Sequence, residues 1–138
     1  MVDATTVTKL VAAAQAARAR AYAPYSKFQV GAAVLDELGR IHAGCNVENA
    51  AYPQGLCAEA NAIAHMVMAG GRRIEAVAVA GVADEPVTPC GGCRQKIREF
   101  AADGAPVLVA DASGLRARYT LGELLPASFG PQHLERPA

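Results

Sequence analysis

Tryptophan is absent from this chain, and its only aromatics are three Phe and four Tyr. Excess charge of either sign is absent too: 13 Lys and Arg balance 13 Asp and Glu. No basic cluster stands out, since Arg72-Arg73 is an isolated pair. Neutralising a polyanion takes many convergent cations, and gripping single strands takes stacking platforms as well. Nucleic acid is therefore not expected as a partner. No apolar run reaches about 18 residues, so no membrane-spanning helix is expected. No basic stretch followed by an apolar one opens the chain, so no signal peptide is expected. The four cysteines are no disulfide framework in a chain of 138 residues. Two form a Cys-x-x-Cys and the others lie far upstream, which reads as metal or redox chemistry in a reducing compartment. A cytoplasmic location is the expectation.

What is present is apolar and small. Hydrophobic residues make up 52%, much of it Ala and Val, which suits helices packed closely on a sheet. The length fits one domain spanning residues 1–138, enough to bury a core without staples. Val7, Leu10, Val11, Ala14 and Ala21 recur at helical spacing and predict a helix over Thr6–Ala21, ended by Ala23-Pro24. Gln29–Leu35 and Ile41–Asn46 read as strands joined by a hairpin turn at Asp36–Gly39. A helix is expected from Cys57 to Gly70-Gly71. Ile74–Gly81 and Pro106–Ala110 read as strands covered on both faces. A helix from Cys90 to Ala102 separates them, and Leu121–Leu125 reads as a short final helix. The order α-β-β-α-β-α-β implies a three-layer α/β domain with a mixed sheet.

Cys57-Ala58-Glu59 and Pro89-Cys90-Gly91-Gly92-Cys93 carry the chemistry. Three cysteines can hold one zinc ion and leave a fourth position open, and Glu59 is placed to move protons beside it. Cys57, Cys90 and Cys93 fall at the starts of two predicted helices, where the partial positive charge favours thiolates. A structural zinc would need a fourth ligand, for which Cys45, His42 and His65 are the available donors. A thioredoxin-like pair is disfavoured by the Gly-Gly between Cys90 and Cys93 and by the distant Cys57. On pattern alone Phe28 reads as core, and Asn46 and Glu48 as turn residues.

These motifs, together with Phe28-Gln29-Val30-Gly31-Ala32-Ala33 and Asn46-Val47-Glu48-Asn49, resemble the cytidine deaminases from about Tyr25 to Leu134. The resemblance implies a three-layer α/β/α sandwich around a central mixed five-stranded sheet. It implies zinc-dependent deamination of cytidine and 2′-deoxycytidine, with Cys57, Cys90 and Cys93 as ligands and Glu59 as proton carrier. By the same resemblance the Ala58 N–H and Phe28 hold the base, Asn46 and Glu48 the sugar. It further implies a homotetramer in which Tyr52 and Phe129 reach a neighbour's site. Many three-cysteine members have Arg directly after the glutamate, where this chain has Ala60. Arg94 is then the candidate to offset the charge of zinc with three thiolates. Rivals are a same-fold deaminase of another aminopyrimidine nucleoside such as blasticidin S, a nucleic-acid editing enzyme, and a non-enzymatic zinc scaffold.

Overall fold

The computed structural model describes residues 2–135. Helix α1 (Ala4–Arg18) begins two residues before the sequence expectation, because the Asp3 side chain accepts the Thr6 N–H and caps it. It ends three residues early. Beyond it the Tyr22 N–H bonds to the Asn46 carbonyl, so pairing with the segment after the second strand wins over helical propensity. Strands β1 (Gly31–Asp36) and β2 (Ile41–Cys45) form the expected hairpin. Asp36 builds its turn, accepting the N–H groups of Leu38 and Arg40. Helix α2 (Ala58–Met68) and strand β3 (Ile74–Ala80) follow as expected. Helix α3 (Gly91–Arg98) stops short of Ala102, because the Phe100 carbonyl is captured by the Ile74 N–H at the start of β3.

Strand β4 (Pro106–Asp111) runs parallel to β3, with α3 as the crossover. Strand β5 (Gly114–Thr120) was not read from the sequence. Its Arg116 and Arg118 hide a strand pattern, yet charges of this kind suit an outer strand that must not pair further. A short helix α4 (Leu121–Leu124) is closed by a capping box between Thr120 and Glu123. The sheet order is β2-β1-β3-β4-β5, mixed and five-stranded.

Strand alternation sorts the core into two halves. Ala33, Leu35, Ala76, Ala78, Ala80 and Leu108 face α1, with its Leu10, Val11 and Ala14. Ala32, Val34, Val77, Val79 and Val107 face α2 and α3, meeting Ala62, Met66 and Ile97. The layers are thus α/β/α. Gly31 lets α1 come close: a Cβ there would lie 2.0 Å from the Ala14 carbonyl oxygen.

The pairing register decides where function can sit. Gly31 opposes both Cys45 and Ala80, and Ala80 opposes Ala110. The start of β1 and the ends of β2, β3 and β4 therefore share one end of the sheet. The segments before β1, after β2 and after β3 all emerge there, and they carry Phe28, Asn46, Cys57 and Cys90.

Candidate metal centre and active site

Cys57 and Cys90 are the N-cap residues of α2 and α3, and neither side chain caps its own helix. Both thiols are free to turn outward. Cys93 lies in the first turn of α3 and is buried. The three sulfurs lie within 4.8 Å of one another, with 3.9 Å between Cys57 and Cys90. Zinc–sulfur bonds of about 2.3 Å at the tetrahedral angle set sulfurs about 3.8 Å apart, so this donor set fits zinc.

The thiols themselves call for a cation. Burial pushes the Cys57 thiol up, and the neighbouring Cys90 adds to it. Cys93 is raised further, by burial first and then by the charges of Glu59, Cys57 and Cys90. Only Cys90 moves down: burial opposes this, but hydrogen bonds from Cys93 and Cys57 outweigh it. The expectation that helix ends alone would favour three thiolates is thus corrected for Cys57 and Cys93. Burial, with repulsion inside the cluster added to it, is stronger, and a bound divalent cation is what would favour the thiolates there.

Glu59, in the first turn of α2, is 4% exposed. Burial raises its pKa, opposed by its own backbone N–H and by the charge of Lys96. It stands two positions after Cys57, and its charge works to raise the pKa of all three thiols.

The seat of α2 rests on two residues the sequence reading passed over. A Cβ on Gly44 would meet the Ala62 nitrogen at 2.4 Å and the Ala58 oxygen at 2.8 Å. Glycine at this point in β2 is what lets the start of α2 lie against the strand. Glycine inside a strand pattern was the available signal. Asn61 then donates to the Cys45 carbonyl at 2.7 Å and ties the first turn of α2 to the end of β2. Reciprocal hydrogen bonds between Val47 and Leu56, both 2.9 Å, close the intervening loop and deliver Cys57 beside Asn46.

Asn46 holds the entry to β1. Its Oδ1 accepts the Val30 N–H at 2.8 Å and its Nδ2 donates to the Phe28 carbonyl at 2.9 Å. Each group keeps one hydrogen-bonding position over. Glu48 accepts the N–H groups of Tyr25 and Ser26 and the Ser26 hydroxyl. The Ser26 bond is foremost in drawing its carboxyl below the usual range. Lys27, at φ 60°, turns the chain so that the half-exposed Phe28 ring follows. A cavity of about 390 Å³ is lined by Tyr25, Ser26, Glu48, Asn49, Tyr52 and Gly55. None of these is a cysteine, so the three sulfurs do not line the cavity.

Tyr52 and Phe129 stand on the surface, 76% and 56% exposed. Phe129 stacks on His133, and Gln95 of α3 holds its carbonyl at 2.9 Å. Arg94 makes its hydrogen bonds away from the sulfurs. Its guanidinium donates to the Pro89 carbonyl at 2.7 Å, the Thr88 hydroxyl at 2.9 Å and the Leu124 carbonyl at 2.9 Å. It ties the loop before α3 to α4 and makes no bond to sulfur, because carbonyl acceptors nearby take its donors. The candidate fourth ligands lie elsewhere. His42 bonds to the buried Asp36, His65 sits edge-on to His42 with its Nδ1 near the Ala43 carbonyl, and Cys45 stays outside the cluster.

An open three-thiol centre with a buried carboxyl beside it, at one end of a mixed α/β/α sheet, defines the class of a zinc hydrolase. Residues 4–109 match the family model described as the cytidine and deoxycytidylate deaminase zinc-binding region. The cytidine deaminase of Sporosarcina psychrophila is 45% identical over 128 residues, 93% of this chain and 94% of that protein. That of Mycobacterium tuberculosis is 44% identical over 120 residues, covering 87% and 86%. The crystal structure of the Burkholderia pseudomallei cytidine deaminase superposes with a TM-score of 0.81 at 42% identity, covering 88% of this chain and 97% of that one. The chain belongs to the cytidine and deoxycytidylate deaminase family.

Proposed function

We propose that this protein hydrolytically deaminates cytidine and 2′-deoxycytidine, giving uridine or 2′-deoxyuridine and ammonia, as a step of pyrimidine salvage. The observation that carries this reading is the convergence of Cys57, Cys90 and Cys93 with the buried Glu59 at their side. Zinc held by the three thiolates supplies a water made acidic enough to be a nucleophile near neutral pH.

The chain's own residues do the rest. Glu59 accepts a proton from the attacking water as its oxygen adds to C4 of the ring. It passes that proton to ring nitrogen N3, then carries the second water proton to the exocyclic amine. The C4–N4 bond breaks and ammonia leaves. A carboxyl whose pKa is raised by burial suits this double role better than one fixed as a carboxylate. Phe28 stacks on the base and the Ala58 N–H bonds to it. The remaining donor and acceptor positions of Asn46, with the Glu48 carboxylate, take the sugar hydroxyls.

A neutral nucleoside fits a chain without net charge. The exposed Tyr52 and Phe129, with Tyr22, Val47 and Leu56 also exposed, support a homotetramer in which these residues close a neighbour's site. Four unpaired cysteines favour a cytoplasmic location.

The test is ammonia release by purified, zinc-loaded protein from cytidine, 2′-deoxycytidine and blasticidin S. Turnover of the first two supports the reading. Turnover of blasticidin S alone transfers the site to another aminopyrimidine nucleoside, and inertness on all three removes the enzyme reading.

A further inference from the structure

Three thiolates around a divalent cation carry a net charge of about −1 by addition, and an ionised Glu59 adds another negative charge alongside. Partly buried charge of one sign calls for an opposite charge nearby. Ala60, the residue after Glu59, brings none. Arg94, the residue after Cys93, has its guanidinium committed to Thr88, Pro89 and Leu124.

Lys96 is differently placed. Its side chain runs back along α3 toward the helix start, as helical side chains do. Its Nζ reaches within 3.7 Å of the point a Cβ on Gly92 would occupy, over the turn that carries Cys90 and Cys93. It joins no ion pair among the described residues. An ammonium folded over a helix N-terminus faces the positive end of the helix dipole, which is unfavourable by itself. An anionic cluster at that same N-terminus reverses the sign.

We propose that Lys96 is the counter-charge of the metal centre: a positioning residue whose ammonium, lying over the first turn of α3, stabilises Cys57, Cys90 and Cys93 as thiolates around zinc without touching the substrate. The inference rests on zinc occupying the three-cysteine site. It assigns to α3 two of the three ligands, Cys90 and Cys93, together with the compensating charge, so the charge balance does not depend on the residue after Glu59.

The experiment is zinc competition against a chromophoric chelator for the wild type, Lys96→Met and Lys96→Arg, at low and high salt. Lys96→Met is expected to hold zinc about tenfold more weakly, the lower end for residues that support metal ligands. Lys96→Arg is expected to stay within about twofold of the wild type. The deficit of Lys96→Met should shrink as salt screens the exposed charge. Melting temperatures of the metal-free proteins should agree, since the side chain is exposed. Equal zinc retention by Lys96→Met, a loss that Lys96→Arg does not restore, or a loss indifferent to salt overturns the proposal. A wild type that takes up no zinc overturns the metal reading itself, and this inference with it.

Discussion

Asn46 holds the fold where the proposed function needs a sugar contact. It clamps the backbone of Phe28 and Val30, and each end of its amide keeps one hydrogen-bonding position, which the proposed function gives to a sugar hydroxyl. Replacing it with Ala removes both. Asn46→Ala is expected to raise KM more than it lowers kcat, and to cost about 1 to 3 kcal/mol of stability for two hydrogen bonds. Steady-state kinetics with a denaturation curve reads both effects. Asp36 works at the far end of the sheet and has no part in the chemistry. Burial would raise its pKa, but bonds from His42, from the Arg40 backbone and side chain and from Leu38 N–H outweigh it and hold the carboxyl well below the usual range. A depressed folded-state pKa contributes stability that is complete above the unfolded value, about 3.9, and is lost as pH falls toward the folded one. Melting temperature should therefore decline as pH drops below about 4. Asp36→Asn should lower it at neutral pH and flatten that acid slope.

The elements were legible where packing follows periodicity. Helix α2 and strands β3 and β4 fall where apolar spacing and glycine stops put them, because each buries what the pattern marks. Apart from the start of α1, set by the local Asp3 cap, the misses share a physical cause: a tertiary hydrogen bond overrode a local preference. Tyr22 leaves the end of α1 for Asn46, Phe100 leaves the end of α3 for Ile74, and β5 is a strand because Arg118 and its neighbours pair with β4. The three-cysteine cluster and Glu59 were legible because Cys57-Ala58-Glu59 and Cys90-Gly91-Gly92-Cys93 are each short local motifs, although 33 positions separate Cys57 from Cys90. The seat that holds them was not, since Gly44 and α2 meet across 14 to 18 positions of sequence, at Ala58 and Ala62. Gly44→Ala should push the start of α2 off β2, at about 1 to 3 kcal/mol for an overpacked contact. Zinc affinity should fall with it, whereas a change at Gly104, which has nothing within 4 Å, should leave zinc untouched. Thermal melts and chelator competition on the two variants make the comparison.

At the scale of the whole molecule, one sheet end gathers Cys57, Cys90 and Cys93, the buried Glu59 and the segments that carry Phe28, Asn46 and Glu48. The same end leaves Tyr52 exposed, and α3 straps Phe129 to its outer face through Gln95 and, next to it, Ser128 through Arg98. If these aromatics complete a neighbour's site, light scattering should give about four times the 14.2 kDa chain mass. Phe129→Ala should then raise KM without lowering zinc content; a monomeric, fully active wild type would remove both residues from the site. The family membership and the geometry meet in Glu59, and Glu59→Gln keeps its shape while abolishing proton transfer. Turnover on cytidine and zinc content, measured on the same preparations of wild type and Glu59→Gln, give the most direct test. The expected result is equal zinc with turnover lower by about 10² to 10⁴ or more. A Glu59→Gln variant that retains zinc and turns over cytidine at the wild-type rate would contradict the account.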